Sequence, residues 1–130
     1  MKYASLKLAE GVALNMELRE TPREIPCSET DTVLAFAKFI VYEGGVADMW
    51  YIQTNIGGKG YGKDIMEAAQ ATLLKRYKVK KIYTDWGAST PAGRSVCLKT
   101  GFKRFGHLLI WEAKDEVKTT GSSSSSEAAE

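Results

Sequence analysis

Apolar and polar residues alternate through the first third of the chain. Ala4, Leu6 and Leu8 share one parity, and after Glu10-Gly11 the alternation resumes at Val12, Leu14, Met16 and Leu18. A period of two predicts strands joined as a hairpin, because successive strand side chains point to opposite faces. Next comes Thr21-Pro22-Arg23-Glu24-Ile25-Pro26-Cys27-Ser28, whose two prolines exclude a long helix. Thr32 to Tyr42 is a long apolar strand and Glu43-Gly44-Gly45 a turn. The run Val46-Ala47-Asp48-Met49-Trp50-Tyr51-Ile52-Gln53 returns as a largely buried antiparallel partner. The period then changes. Between Asp64 and Tyr77, Ile65, Ala69 and Leu73 recur at i, i+4 and i+8, with Met66, Leu74 and Tyr77 beside them, as on one helical face. Lys81-Ile82-Tyr83-Thr84-Asp85 reads as a strand and Pro91 to Thr100 as a short helix. Gly101-Phe102 leads into another strand, which holds His107.

Gly57-Gly58-Lys59-Gly60-Tyr61-Gly62-Lys63 stands at the junction of the second long strand and the first helix. Glycines let the backbone turn sharply there and approach a ligand closely. The unpaired N–H groups of the first helical turn then make an anion site, most often for phosphate. A plain tight connection is the alternative. Two phosphate-binding patterns fit poorly. The dinucleotide fingerprint G-x-G-x-x-G is not met, since the spacing is G-x-G-x-G and Ile65 stands where the last glycine of a Gly60-based match belongs. Gly57, Gly62 and Lys63 meet the P-loop spacing, but Asp64 follows where a magnesium-binding Ser or Thr is needed. A nucleotide-binding reading therefore requires magnesium-dependent binding.

The stretch resembles the pyrophosphate-binding segment of the GNAT superfamily of acyl-CoA N-acyltransferases, Arg/Gln-x-x-Gly-x-Gly/Ala after a buried strand. Gly57 to Gly62 matches it, with Gly57 in place of Arg or Gln. Downstream, the family's last helix ends in Gly-Phe, with a Tyr four residues before the Gly. Here Gly101-Phe102 is kept, Cys97 takes the Tyr position, and Thr90 stands where the family often has Asn. The resemblance runs from roughly Val33 to Lys114. It implies an α/β (α+β) fold with a mixed, mostly antiparallel central sheet, a glycine-loop helix and a second short C-terminal helix. Residues 1–116 are then one acyltransferase-like domain. Residues 117–130, with the run of serines after Gly121, are expected to be a flexible tail.

The implied reaction is transfer of an acetyl group from acetyl-CoA to an amine acceptor, a small molecule or a protein. The alternative is a non-catalytic CoA-binding or protein-interaction module, favoured by the missing tyrosine. By resemblance, main-chain groups of Tyr51, Ile52 and Gln53 align the pantetheine arm, and Thr90 contacts the donor. Backbone N–H groups of Gly58, Lys59, Gly60, Tyr61, Gly62 and Lys63 hold the pyrophosphate, with charge added by Lys59 and Lys63. Cys97 is the candidate acid. Asp48 is the candidate base, because a carboxylate in an apolar strand is costly unless it faces a cleft or a partner. Glu43, at the leading turn, is a second carboxylate near that strand, and water-mediated deprotonation is the alternative to both. The family also places two helices over the acceptor site, between its first two strands. Period two in this region predicts strands instead, so the acceptor side is open or is completed by a second subunit in a homodimer.

Composition narrows the class. Hydrophobic residues make up 44% of 130 and charged residues 26%, the values of an ordinary globular domain. The net charge of +2 gives no reason to expect a nucleic-acid partner. The basic run Lys75-Arg76-Tyr77-Lys78-Val79-Lys80-Lys81 suits a helix C-terminus, where the dipole favours cations, or else a contact for ligand phosphates or an acidic partner. Cys27 and Cys97 have neither metal-binding nor redox spacing, and no metal is expected. With no signal peptide or transmembrane stretch visible, the expected address is cytoplasmic, with no membrane partner.

Overall fold

The computed structural model describes residues 1–8, 13–27, 29–55 and 57–114. The expected turn at Glu10-Gly11 with Val12, the end of the proline segment at Ser28, and the tail over 117–130 lie outside these residues. In chain order the elements are β1 (Lys2–Leu8), β2 (Ala13–Glu20), β3 (Thr32–Tyr42), β4 (Val46–Thr54), α1 (Tyr61–Tyr77), β5 (Lys81–Asp85), α2 (Pro91–Lys99), β6 (Lys103–Phe105) and β7 (Leu108–Glu112). The strands form one seven-stranded sheet in the order β1-β2-β3-β4-β5-β7-β6. Every neighbouring pair is antiparallel except β4 with β5. The expected mixed, mostly antiparallel α/β sheet is present.

Alternation decides which face is buried. Leu14, Met16, Leu18, Ala35, Ala37 and Phe39 form one core with Ala47, Ile82 and Leu109 and with Ile65, Met66, Ala69 and Leu73 of α1. Each large apolar side chain buried there contributes about 1.5–3 kcal/mol over exposure, which fixes α1 on this face of the sheet. Among the described residues no helix precedes Tyr61. The N-terminal third is thus strand and loop, as its period of two requires. Asp31 ties down the proline-containing segment by accepting hydrogen bonds from the Tyr3 hydroxyl (2.7 Å), the Cys27 N–H (2.8 Å) and the Arg23 guanidinium.

Two expectations are corrected, and for a third segment one alternative is set aside. β4 is buried only in its first half; Trp50, Tyr51, Gln53 and Thr54 are exposed. The reason is topological: β5 pairs with β4 only as far as Asp48↔Tyr83. His107 is not in a strand but in the exposed turn between β6 and β7, where its carbonyl accepts from the Trp86 N–H at 2.8 Å. The basic run after Lys75 caps the far end of α1. Lys80 and Lys81 donate their N–H groups to the Gly45 carbonyl, at the opposite end of β4 from the glycine turn. A helix of 17 residues puts about 25 Å between that run and the α1 N-terminus, so it is no phosphate contact.

Candidate active site

β4 and β5 run parallel through three pairs, Val46↔Lys81, Ala47↔Ile82 and Asp48↔Tyr83, and then part. The gap is a cleft of about 420 Å³. Residues 48–53 of β4 form one wall; Thr84, Asp85, the loop from Ala88 to Thr90, and Cys97 form the other. At the parting, the Thr84 hydroxyl donates to the Met49 carbonyl at 3.1 Å. The register of β4 against β3 jumps here too. Met49 faces Phe39 and Tyr51 faces Lys38, so Trp50 is an extra residue, a bulge. A bulge bends its strand and re-aims the neighbouring groups. Past Asp48, therefore, the β5-facing edge of β4 offers main-chain groups with no strand partner, which suits an extended amide-bearing ligand.

Beyond Thr54 the chain turns into α1 through left-handed glycines, Gly58 at φ 74° and Gly60 at φ 76°. Gly60 is the N-cap, and no side chain caps the helix. The Asp64 N–H reaches the Gly60 carbonyl at 3.1 Å, which leaves the N–H groups of Tyr61, Gly62 and Lys63 without helical partners. The Asp64 carboxylate, unfavourable to a phosphate, is paired with Lys2 Nζ at 3.4 Å. Lys59 and Lys63 are exposed and in no ion pair among the described residues.

Two titratable groups in the cleft are perturbed. Burial raises the Asp48 carboxyl above its usual range, and the charge of Asp85 raises it further. Burial also pushes the Cys97 thiol up to about 11, so it stays a neutral thiol at physiological pH. The Thr90 hydroxyl oxygen is the N-cap of α2, accepting from the Gly93 N–H at 3.0 Å.

No protein-family model matches the chain, and no curated protein sequence matches it. Solved structures do. A GNAT family acetyltransferase from Elizabethkingia anophelis, with acetyl-CoA bound, superposes at a TM-score of 0.65 and 9% identity, covering 85% of this chain and 97% of that one. The ribosomal-protein-S18-alanine N-acetyltransferase of Escherichia coli gives a TM-score of 0.64 at 17% identity, over 87% and 76% of the two chains. Spermidine N-acetyltransferase from Vibrio cholerae, in complex with CoA and spermine, gives 0.61 at 12% identity, over 79% and 67%. The fold is that of the GNAT acyltransferases.

Within this GNAT fold the residues singled out from sequence separate into two groups. Asp48, Tyr51, Ile52, Gln53, Thr90 and Cys97 all line the cleft. Gly58, Lys59, Gly60, Tyr61, Gly62 and Lys63 lie outside its lining, at the start of α1. Gly62 has a packing role: a Cβ there would sit 2.8 Å from Val96 Cγ2, so its absence lets α1 and α2 touch. Glu43 sits in the turn before β4, away from the cleft lining. Asp85 and the bulged Trp50 were not singled out. A carboxylate closing a short strand was the available signal for Asp85, whereas no local pattern marks the bulge.

Proposed function

We propose that this chain is an N-acetyltransferase that takes acetyl-CoA as donor and the amine of an unidentified acceptor, within the one domain expected over residues 1–116. The observation that supports it is the parting of β4 from β5, with an unpaired strand edge leading to the uncapped N-terminus of α1. The donor supplies a thioester, whose C–S bond breaks as the acceptor nitrogen forms the new C–N bond. Tyr51, Ile52 and Gln53 would align the donor's amide-bearing arm as an added strand. N–H groups from Gly58 to Lys63 would hold its diphosphate, aided by the helix dipole. The bulge at Trp50 re-aims β4 main-chain groups toward the thioester, where a fixed N–H stabilises developing negative charge.

The acceptor must lose a proton. Asp48 is the group we assign to take it, a carboxylate in the cleft whose pKa is raised by burial and by Asp85. Cys97 is a poor acid for the departing thiolate, because a thiol near 11 holds its proton more tightly than the thiolate it would serve. Solvent is the proton source we propose for that step. With no helix before Tyr61 among the described residues to cover the acceptor side, a second copy in a homodimer would wall it, and a strictly monomeric mass by light scattering counts against that arrangement. Cys27 and Cys97 are free thiols, in keeping with a cytoplasmic address.

Calorimetry with acetyl-CoA, CoA and ATP, with and without magnesium, tests the reading. Acetyl-CoA should bind and raise Tm, since a ligand selective for the native state stabilises by mass action. No shift at millimolar acetyl-CoA removes the donor, and magnesium-dependent ATP binding replaces it with a nucleotide.

A further inference from the structure

The two faces of the sheet are covered unequally. α1 joins the core through Ile65 and α2 through Cys97, on the face that carries Leu14, Met16 and Ala37. These are the two helices among the described residues, so neither packs on the opposite face. Register shows what stands there. Asp48 pairs with Tyr83, and Asp85, two residues on from Tyr83, pairs with Leu108, which pairs in turn with Phe105. Directly paired residues share a face, as do residues two apart in a strand. Both carboxylates, Leu108 and Phe105 therefore look out from the helix-free side. Tyr51 is there too, because its partner Lys38 is two residues from Ile40, the partner of Asp48. Side-chain contacts agree: the Tyr51 ring meets Phe36 edge-on at 5.8 Å, and Lys38 Nζ lies 4.9 Å from the centre of the Trp50 ring.

The cleft is lined from both faces. Ile52 and Cys97 belong to its core side, whereas Asp48, Asp85, Trp50 and Tyr51 stand at its helix-free mouth. Trp50 is 58% exposed, Phe105 57%, and Tyr51 and Leu108 41% each. Apolar side chains exposed singly are ordinary, but here they flank one pair of carboxylates on both sides, as at a binding surface. A second copy laid across them would bury Asp48 and shut out the amine. The occupant is therefore the acceptor, its ammonium complementary to the two carboxylates. Size narrows it further. Phe105 in β6 and Tyr51 in β4 are three strand intervals apart, about 14 Å, and the parting of β4 from β5 adds to this. An extended polypeptide sets side chains i and i+4 on one face about 13 Å apart, with side chain i+2 between them. A small amine or a chain N-terminus reaches one flank only.

We propose that the acceptor is a lysine within a polypeptide segment, flanked two residues away on each side by apolar side chains that dock on the helix-free face. One meets Phe105 and Leu108, the other Trp50 and Tyr51, and the lysine ammonium lies at Asp48 and Asp85. The inference rests on the acetyl-transfer reading above, and it puts the second copy suggested there beside this patch, not across it.

The test is release of coenzyme A thiol with short peptides blocked at both ends. One has a central lysine with leucine two positions to either side, a second has serine for both leucines, and two more keep a single leucine. The two-leucine peptide should exceed the serine peptide about tenfold or more in kcat/KM, the scale of one apolar side chain leaving water. Phe105→Ser and Leu108→Ser should each erase the preference at one leucine position and keep it at the other, with acetyl-CoA affinity unchanged. If Leu108→Ser lowers Tm, Phe105→Ser, at the sheet edge, carries the test. Equal use of the leucine and serine peptides overturns the proposal, as does a preference lost at neither position or at both alike. Equal use of phenylethylamine, or of a peptide with a free leucine N-terminus, overturns it too. So does a dimer that Phe105→Ser converts to monomer, because a second copy then covers the face. If acetyl-CoA binds yet no amine is acetylated, the acetyl-transfer reading fails by itself. The two-leucine peptide titrated against the CoA-loaded protein then decides: binding that needs Phe105 sustains the docking face, and no binding ends it.

Discussion

The carboxylates of Asp48 and Asp85 line one cleft from its two walls, Asp48 at the last β4–β5 pair and Asp85 at the end of β5. Burial raises the Asp48 carboxyl, and the like charge of Asp85 adds to the effect. The folded chain thus holds a proton that the unfolded chain has already released. Ionising Asp48 accordingly lowers stability as pH rises above the ordinary carboxyl value of about 3.9 and through the raised one.

Removing the neighbouring charge should reverse part of this. Asp85→Asn keeps the Oδ1 that accepts the Gly87 N–H at 2.8 Å and deletes only the negative charge. The acidic limb of the pH–rate profile should then move to lower pH, with a small gain in stability above that limb. An unmoved limb would show that the rate does not read Asp48 and that the acceptor proton leaves through water.

Gly60 and Gly62 should fail in different ways. A Cβ on Gly62 would press on Val96, and overpacking of this kind costs about 1–3 kcal/mol. Gly62→Ala should lower the urea midpoint, and Val96→Ala in the same chain should recover much of the loss. Gly60 has open space around its missing Cβ but a left-handed φ of 76° that strains any side chain. Gly60→Val should suppress the acetyl-CoA-induced rise in Tm. Undiminished acetyl-CoA binding in that variant would reduce the glycine turn to a connector.

The same two glycines mark how far the sequence could be read. Local signals carry local structure: the Glu43-Gly44-Gly45 turn, the period of α1 and the Gly101 stop all appear where residue spacing puts them. The left-handed Gly60 belongs with them. Gly62 does not, because its neighbour Val96 lies 34 positions on, and only packing brings the two together. β4 failed for the same reason. Its apolar residues suggest burial throughout, but exposure of Trp50 and Tyr51 follows from where β5 stops pairing. Asp85 joins the site only once β5 lies beside β4. His107 was placed in a strand because a three-residue β6 followed by a tight turn gives too short a pattern to separate.

Cys97 makes an alkaline prediction. Its thiol rises from 9.0 to about 11 on folding, through burial. The folded chain then holds a proton that the unfolded chain loses first, so stability should fall as pH rises between those values. Cys97→Ala should flatten that decline while costing about 1 kcal/mol at neutral pH for the small cavity. Unfolding curves near neutrality and at high pH check both statements. Acetyl-CoA affinity should hold in Cys97→Ser. If turnover in that variant collapses while the donor still binds, Cys97 is the acid after all, and solvent is the wrong proton source.

Thr84 controls the place where the cleft opens. It is buried, and its hydroxyl donates to the Met49 carbonyl just past the last β4–β5 pair. Thr84→Val keeps the shape but strands that carbonyl, at a cost of about 1–3 kcal/mol. The larger consequence should be geometric. Without this bond only the pairing with β3 sets the course of the bulged segment around Trp50, and a thioester misplaced by a fraction of an ångström reacts slowly even when bound. Thr84→Val should therefore lower kcat more than it weakens acetyl-CoA binding, and Thr84→Ser, which restores the hydroxyl, should recover kcat. A variant that loses stability yet keeps its full kcat would show that the Thr84 bond supports the sheet alone, and that the bulge holds the cleft open by itself.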